Sequence, residues 1–254
     1  MVSQQSRVAL VTGGKRRIGR GIALTLAAAG YDVVINDLAH DEDADETVRQ
    51  IQALGRRSHF HEADISDAAQ VEAMVEQTCA QMGATINVLV NNPFWADHKP
   101  FLEIEEADWD RTMDVCLKGF FLCSQAVARK MVDSGGGTIV SISSIHAQAV
   151  WSGDTVYGVA KEAILRLTRS MAVELGRHGI RANVILPGYM DTEHVFGTEP
   201  PSAKVVDHPS RGFTPTFRSS TPEDIGRAVV FLASAGGANI NGVALPVDGG
   251  FLAT

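Results

Sequence analysis

A tyrosine and a lysine stand four residues apart in the stretch YGVAK, at Tyr157 and Lys161, and Ser144 lies 13 residues before the tyrosine. Four residues are about one helical turn, so the phenol and the ammonium share a helix face. A free tyrosine has a pKa of about 10, and a neighbouring cation stabilises the phenolate and lowers that pKa. Tyr157 could then exchange a proton with an alcohol or carbonyl oxygen while Ser144 hydrogen-bonds the same oxygen. A lone Tyr-x-x-x-Lys pair is common on solvated helix faces, and Ser144 distinguishes this one.

The stretch TGGKRRIG, residues 12–19, directly follows an apolar run and opens a helical pattern. Glycine lets backbone amides approach a phosphate, and a helix N-terminus favours negative charge there. The order of strand, turn and helix predicts a dinucleotide-binding turn, with an ordinary glycine turn as the alternative. Arg17 stands where the usual pattern has its middle glycine, and it could contact a phosphate with its own charge. The candidate contacts in this turn are Gly13, Arg16, Arg17, Ile18 and Gly19.

Asp37 ends the second predicted strand, 24 residues after Gly13. An acid at this place can accept hydrogen bonds from both hydroxyls of the adenosine ribose of NAD. A 2′-phosphate beside Asp37 would meet like charge, and the repulsion is roughly 4 kcal/mol per unit charge at about 4 Å and an effective dielectric constant of about 20. The cations of KRR, residues 15–17, could attract that phosphate, but a solvated surface charge contributes about 1 kcal/mol or less. The balance predicts NAD, with NADP as the alternative.

Short β-branched runs alternate with longer helical patterns along the chain, which is typical of parallel strands joined by crossover helices. Apolar runs such as VALV and VVI favour strands covered on both faces. We therefore expect an α/β fold, a single doubly wound Rossmann-type domain over residues 1–254, with about seven parallel strands and helices on both faces. The predicted strands cover residues 7–12, 32–37, 58–64, 86–92, 137–143, 181–187 and 243–248.

Ligands of open α/β sheets bind beyond the carboxyl ends of the strands. Ser144 follows the fifth strand and Tyr157 begins the next helix, so both can reach that crevice. Residues 188–220 are irregular and rich in helix breakers, and the segment exceeds the usual loop length. We expect it to cover the substrate.

Bulk composition excludes several other classes of function. The 254 residues carry a net charge of −8, which argues against a nucleic-acid binder and against binding to an anionic membrane. No apolar run near the N-terminus is long enough for a signal peptide or a membrane span. The three cysteines, Cys79, Cys116 and Cys123, cannot all pair within the chain and lack zinc-ligand spacing. We expect reduced thiols, a cytoplasmic protein and no metal site.

Together these stretches resemble the short-chain dehydrogenase/reductase family over essentially the full chain. The resemblance implies an oxidoreductase that transfers a hydride between a nicotinamide cofactor and a secondary alcohol or ketone, with Ser144, Tyr157 and Lys161 as the catalytic residues. Two alternatives remain: an NADP-dependent reductase of pterin-like or 3-oxoacyl substrates, and a non-catalytic binding protein on the same scaffold. The matching stretches are TGGKRRIG, ADISD, VNN, IVSISS, YGVAK, RANVILPGYMDT, TPEDIG and VDGG.

The resemblance also implies contacts to the rest of the cofactor. Lys161, beside Tyr157, would hydrogen-bond the nicotinamide ribose. The other implied contacts are Asp64 and Ile65 at the adenine, Asn91 beside the cofactor, and Pro187, Gly188 and Thr192 at the nicotinamide. Family members commonly assemble as dimers or tetramers through the long helices around the fifth strand. The resemblance therefore implies a homotetramer or homodimer, with VDGGFLAT near a subunit contact.

Two further departures from the family pattern concern the neighbourhood of the predicted site. The family reads Asn-Asn-Ala-Gly where this chain reads NNPF, so Pro93 removes an amide donor and Phe94 adds bulk. Phe94 could turn outward and wall the substrate pocket. Cys116 stands at a catalytic position, where the family usually has an asparagine that holds a water linking the lysine to solvent. A small buried apolar residue is the alternative interpretation of Cys116.

Aromatic side chains near the reacting groups indicate the substrate. His146 is two residues beyond Ser144, and Trp151 lies between the serine and the tyrosine. With Phe94 they form the predicted substrate contacts, and several aromatics favour a ring or apolar substrate. Asp97 and His98 are expected at solvated loop positions.

Overall fold

Seven parallel strands form one sheet in the order β3-β2-β1-β4-β5-β6-β7. The computed structural model describes residues 7–199 and 214–254. The strands are β1 Val8–Thr12, β2 Asp32–Asp37, β3 Ser58–Glu62, β4 Ile86–Asn91, β5 Gly137–Ile142, β6 Ile180–Pro187 and β7 Ala244–Val247. The predicted doubly wound sheet of about seven parallel strands is confirmed.

Seven α-helices cover the two faces of the sheet in the described part of the chain. They are α1 Arg17–Ala28, α2 Glu42–Ala53, α3 Ala68–Met82, α4 Glu106–Met113, α5 Gly119–Ser134, α6 Thr155–Leu175 and α7 Pro222–Ala233. A π-helical stretch at Asp114–Lys118 separates α4 from α5. Among the described residues, no helix has the length and apolar character needed to cross a bilayer.

The strands are buried because both faces of the sheet carry helices. Val8 and Leu10 of β1 pack into one core with residues of α3, α5 and α6, whereas Ala9 and Val11 pack into the other with residues of α1, α2 and α7. All four side chains are fully shielded from solvent. Burying one such aliphatic side chain stabilises the fold by about 1.5–3 kcal/mol. This explains why the central strands β1 and β4 are nearly continuous apolar runs, whereas the edge strand β3 is only partly buried.

The order of the strands determines where a ligand can bind. The chain proceeds outward from β1 to β3 on one side, then restarts at β4 on the other side of β1. The loops that leave β1 and β4 therefore diverge and open a crevice at the carboxyl ends of these strands. The candidate site residues follow strands in the sequence and were therefore expected at this edge of the sheet.

The two ends of the segment from 188 to 220, which was predicted to cover the substrate, are hydrogen-bonded to each other. Met190 pairs with Ser220 in an isolated parallel bridge, and the Asp191 amide donates to the Ser220 carbonyl at 2.8 Å. Thr221 and Asp224 then form a capping box at the start of α7, with Pro222 in its first turn. Residues 200–213 of this predicted cover lie outside the described residues, so that expectation remains a prediction.

Candidate active site

A cleft of about 900 Å³ opens at the carboxyl ends of the strands, where β1 and β4 diverge. It begins at the turn between β1 and α1 and reaches the first turn of α6. The cleft therefore joins the predicted cofactor turn to the predicted reacting groups. The sequence-predicted residues that line it are Gly13, Arg16, Arg17, Ile18, Gly19, Asp37, Asp64, Ile65, Phe94, Tyr157, Lys161 and Thr192.

The turn after β1 packs closely against the start of α1 and residues 92–93, because two of its positions cannot carry a side chain. Gly13 has a φ of +61°, in the left-handed region. A Cβ on Gly19 would lie 1.9 Å from the Gly13 carbonyl oxygen. The amide of Asn92 donates to that same oxygen at 2.9 Å and fixes the turn from the β4 side. Sequence reasoning missed Asn92, although it directly follows the predicted fourth strand.

Arg17 keeps the backbone conformation that a glycine would adopt at its place. Its φ is +51°, which costs a non-glycine residue on the order of 1 kcal/mol. Arg16 and Arg17 are both exposed, and they lie between the cleft and a second cavity of about 680 Å³ beside α1, α2 and residues 192–196. The substitution of the middle glycine has therefore changed the side chain at the turn and preserved its backbone path.

Two acidic residues lie along the cleft between the turn and β3. Asp37, at the end of β2, accepts a hydrogen bond from the Leu38 amide at 2.9 Å. Lys15 Nζ lies 4.0 Å from its Oδ1. Asp64 accepts from the amide and the hydroxyl of Ser66, at 2.8 Å and 2.7 Å. Both carboxylates are thus held in place with acceptor capacity directed at the cleft.

The three predicted reacting side chains lie together beyond β5. Ser144 follows β5 in extended conformation and hydrogen-bonds the hydroxyl of Tyr157. Lys161, one turn further along α6, is buried, donates to the Ile142 carbonyl at 3.0 Å, and has its Nζ 5.5 Å from the centre of the Tyr157 ring. The Ser143 hydroxyl donates to the Lys161 carbonyl at 2.8 Å and ties the end of β5 to α6. A serine, a phenol and a buried ammonium at one end of a dinucleotide-sized cleft can transfer a proton to or from an oxygen bound there.

Comparison with known proteins matches this arrangement over nearly the whole chain. Residues 13–252 match a family model described as enoyl-(acyl carrier protein) reductase. The 2-dehydro-3-deoxy-D-gluconate 5-dehydrogenase of Escherichia coli is 35% identical, covering 99% of this chain and 97% of the relative. The cis-4-hydroxycyclohexanecarboxylate dehydrogenase of Sinomonas cyclohexanicum is 37% identical, covering 97% of each chain. The crystal structure of acetoin dehydrogenase from Salmonella typhimurium superimposes with a TM-score of 0.89 at 31% identity, covering 98% of this chain and 97% of that one.

The chain belongs to the short-chain dehydrogenase/reductase family. It is accordingly an oxidoreductase that uses a nicotinamide cofactor and acts between CH–OH and C=O groups.

The ionisation of the reacting groups in this short-chain dehydrogenase/reductase differs from the sequence-based expectation. Removal from water raises the pKa of Tyr157 to about 12, and the hydrogen bond from Ser144 opposes that shift. Burial likewise lowers the pKa of Lys161. The prediction that the lysine lowers the pKa of the tyrosine is therefore wrong for these side chains by themselves. Both charged forms are disfavoured in the same desolvated place, because burial is the largest influence on each of the two pKa values.

Three predicted cofactor contacts lie outside the cleft lining. The side chain of Asn91 is buried and donates to the Ser124 hydroxyl at 2.9 Å, so its predicted place beside the cofactor stays a prediction. Successive side chains of a strand point to opposite faces, and Asn92 is the one that lines the cleft. Pro187 ends β6, and Gly188 donates its amide to the Val247 carbonyl at 3.1 Å. These two positions join β6 to β7 behind the site.

The predicted substrate contacts His146 and Trp151 lie beside the tyrosine in a stack of aromatic rings. The His146 ring stacks on Trp151 at 4.0 Å between centres and meets the Tyr157 ring edge-on at 5.5 Å. Phe251 continues the stack beyond Trp151 at 5.9 Å, and Tyr189 packs against Phe251. Neither His146 nor Trp151 lines the cleft itself, so their contact with substrate remains a prediction.

A buried carboxylate holds the imidazole of this stack. Asp154 bonds Nδ1 of His146, and its other oxygen lies 2.7 Å from Nδ1 of the largely exposed His98. Sequence reasoning missed Asp154, whose distance from His98 in the chain hides the contact. Phe94 is 57% exposed and lines the cleft, which agrees with the outward orientation expected of it.

Cys116 anchors the loop that follows β4. Its thiol is buried, accepts from the Trp95 amide at 3.2 Å and donates to the Trp95 carbonyl at 3.5 Å. These contacts agree with the small buried residue that was the alternative interpretation. Cys116 also interacts electrostatically with Tyr157 and Lys161, and its catalytic role stays a prediction. In residues 7–199 and 214–254, no group of three His, Cys, Asp or Glu side chains could hold a metal ion.

Replacing Gly19 by alanine tests the cofactor turn. The added methyl group would overlap the Gly13 carbonyl oxygen, so the turn must open or the helix must shift. We expect the affinity for a nicotinamide dinucleotide to fall about 10–100-fold, because a displaced turn no longer presents its backbone amides to the pyrophosphate. Titration followed by protein fluorescence measures the change. Gly176→Ala is the matched control, since its Cβ would approach no atom closer than 3.5 Å. Normal affinity in a folded Gly19→Ala variant would contradict a phosphate contact at this turn.

Proposed function

We propose that the protein is an NAD-dependent dehydrogenase of secondary alcohols that also reduces the corresponding ketones, with residues 1–254 acting as one domain. The observation that carries the proposal is the hydrogen-bonded pair of Ser144 and Tyr157, with buried Lys161 one turn away, at the end of the cleft that begins at Gly13. Proton transfer needs these three side chains at one point, and hydride transfer needs a dinucleotide in the same cleft.

The cleft residues fit a dinucleotide. Gly13 and Gly19 let the turn fold tightly at the edge of the cleft, and the N-terminus of α1 favours a pyrophosphate there. Asp37 supplies acceptors for ribose hydroxyls, and Asp64 and Ile65 line the neighbouring wall. Bound NAD⁺ would supply the hydride acceptor and a positive charge near the reacting groups.

In the proposed reaction Ser144 holds the substrate oxygen by a hydrogen bond. In alcohol oxidation Tyr157 acts as the phenolate, which Lys161 stabilises, and accepts the hydroxyl proton while the hydride leaves the carbinol carbon; a bound NAD⁺ would accept that hydride. In ketone reduction Tyr157 acts as the phenol and donates its proton to the carbonyl oxygen. The high pKa of Tyr157 keeps the phenol protonated in the free protein, which suits its role as proton donor in reduction. Substrate position and orientation supply much of the remaining rate.

Asp37 supports NAD rather than NADP. Its carboxylate lines the cleft and would repel a 2′-phosphate by roughly 4 kcal/mol per unit charge at about 4 Å. Arg16 and Arg17 are solvent-exposed, and such cations typically contribute about 1 kcal/mol or less.

The experiment that tests the proposed function combines both cofactors with a panel of secondary alcohols and ketones. The panel includes hydroxy acids, because two relatives are named for such substrates. We expect the absorbance of reduced nicotinamide to change with NAD. Tighter binding of NADP, with turnover of pterin-like or 3-oxoacyl substrates, would favour the reductase alternative. Cofactor binding without turnover across the panel would favour the non-catalytic alternative.

We also propose that the protein forms a homotetramer or homodimer in the cytoplasm. Apolar side chains are exposed on two helices near β5: Phe121 of α5 is 44% exposed, and Val159 and Val173 of α6 are 42% and 83% exposed. A second copy of the chain is the partner that the family resemblance implies for these helices. The described cysteines are free thiols, which fits a reducing compartment.

Sedimentation velocity tests this assembly. The native protein should sediment as a multiple of the 27.2 kDa chain, and Val173→Glu should shift the population toward smaller species, because a charge buried at an interface costs several kcal/mol. Val150→Glu is the control, since Val150 is 94% exposed but lies off both helices. A native monomer at micromolar concentration would contradict the proposed assembly.

A further inference from the structure

We propose that Asp41 strengthens the selectivity for NAD by holding the side chain of Lys15 away from the adenosine-ribose end of the cleft. The inference rests on the proposed preference for NAD and assigns part of it to a residue that does not line the cleft. Asp37 repels a 2′-phosphate directly. Asp41 acts indirectly, because it binds Lys15, a cation that could otherwise attract the phosphate.

Lys15 is the cation of the KRR stretch that lies closest to Asp37. Its Nζ donates to Oδ2 of Asp41 at 2.7 Å and to the Ala39 carbonyl at 3.0 Å. The same Nζ lies 4.0 Å from Oδ1 of Asp37, beyond hydrogen-bond distance. The ammonium is therefore hydrogen-bonded to Asp41 and Ala39, and it makes only a longer ion pair with Asp37.

The backbone of Lys15 is fixed independently of its side chain. The Lys15 carbonyl accepts from the Thr47 hydroxyl at 2.7 Å and from Nε of Arg20 at 3.1 Å. Lys15 itself is only 6% exposed. Losing the contact with Asp41 would consequently leave the turn in place and change only the direction in which the ammonium points.

Asp41 is well placed to retain the lysine. It is the N-cap of α2 and accepts from the Ala44 amide at 3.2 Å, so its position is set by the helix. The hydrogen bond from Lys15 lowers the pKa of Asp41, which keeps the carboxylate charged across the neutral range. A charge-assisted hydrogen bond of this kind is about twice as strong as a neutral one.

The charge balance at this end of the cleft follows from these contacts. Lys15 is neutralised by Asp41, so the charge of Asp37 is opposed only by an ammonium that is already bonded elsewhere. Without the Asp41 carboxylate, Lys15 could turn toward Asp37 or toward a 2′-phosphate, and either contact reduces the repulsion of that phosphate. Removal of the charge at residue 41 should therefore weaken discrimination against 2′-phosphorylated ligands.

The test compares Asp41→Ser with the native protein. Serine is also a good N-cap, so the variant removes the charge and keeps the helix terminus. The ligands are 5′-AMP and 2′,5′-ADP, measured by isothermal titration calorimetry, a readout that does not depend on turnover. We expect the affinity for 2′,5′-ADP to rise about tenfold and that for 5′-AMP to change less than about twofold. Asp41→Asn serves the same purpose should the serine variant fold poorly.

Two controls establish that Lys15 mediates the effect. Asp67→Ser removes another N-cap carboxylate, which bonds the Ala69 and Gln70 amides of α3 and follows cleft-lining Ser66, and it should leave the ratio of the two affinities unchanged. In a Lys15→Met background, Asp41→Ser should give no gain.

Three results would overturn the inference: no gain in Asp41→Ser, an equal gain in Asp67→Ser, or a gain that persists without Lys15. If the native protein binds 2′,5′-ADP more tightly than 5′-AMP, the proposed use of NAD is refuted instead. The two affinities of the native protein decide this point without any variant.

Discussion

Replacing Tyr157 by phenylalanine should lower kcat about 10³-fold and change the dissociation constant for NAD less than about threefold. The variant loses the hydroxyl that Ser144 bonds and keeps the ring that packs edge-on against His146. Steady-state kinetics with the best alcohol of the panel and a fluorescence titration with NAD measure the two effects.

Tyr31→Phe is the matched control for that substitution. Tyr31 is buried beneath Arg7, far along the chain from the reacting groups, and its loss of a hydroxyl should leave kcat unchanged. Turnover near the native level in the Tyr157→Phe variant would remove the tyrosine from the mechanism.

The raised pKa of Tyr157 also predicts how the native protein responds to alkaline pH. A free phenol has a pKa of about 10, whereas Tyr157 has a pKa of about 12 in the fold. The fold therefore binds the phenolic proton more tightly than the unfolded chain does, and this stabilisation is complete below pH 10 and lost as the pH rises toward 12. Denaturant unfolding at pH 9 and pH 11 should show native stability falling relative to Tyr157→Phe. The same difference in unfolding free energy between the native protein and Tyr157→Phe at both pH values would contradict a raised pKa of Tyr157.

Replacing Lys161 by methionine should lower kcat by about 10³-fold while making the free protein more stable. The ammonium is buried with a single described hydrogen bond, to the Ile142 carbonyl, and burial lowers its pKa. At neutral pH the fold therefore bears the cost of a poorly solvated cation, which methionine of similar length removes. Turnover falls because no positive charge remains one turn from Tyr157 to stabilise the phenolate.

Chemical denaturation and steady-state kinetics of the same variant separate these two effects. Lys130→Met provides the control, since that lysine is paired with Glu76 on the surface and should influence neither kcat nor the reacting groups. A Lys161→Met variant that keeps its activity would show that the charge is not needed for turnover. A variant that is less stable at neutral pH would show that the buried charge does not destabilise the fold.

Local pattern in the sequence determined the architecture of the sheet. Buried strands such as β1 and β2 are continuous apolar runs because helices cover both faces, and that feature is visible in any single segment. The spacing of Tyr157 and Lys161 placed them one turn apart, since helical periodicity depends only on neighbours along the chain. Asp37 and the turn at Gly13 were recognisable for the same reason: each directly follows its own strand.

Contacts between distant segments were decided by packing alone. The choice between Asn91 and Asn92 depends on which face of β4 meets α5, and the capture of Lys15 by Asp41 joins positions 26 residues apart. Cys116 contacts Trp95 only because the π-helical stretch brings its thiol against that loop.

The pKa values of the reacting groups likewise depend on how distant segments pack together. Spacing along α6 predicts an ammonium near a phenol, but it carries nothing about how much water reaches either group. Residues of β5, α5 and the aromatic stack exclude water from Tyr157. This desolvation raises the pKa of Tyr157, whereas proximity to the lysine alone predicted a lowered pKa. Sequence by itself thus placed Tyr157 and Lys161 on one helix face, and only the tertiary structure decided their pKa values, because desolvation is a property of everything packed around a site.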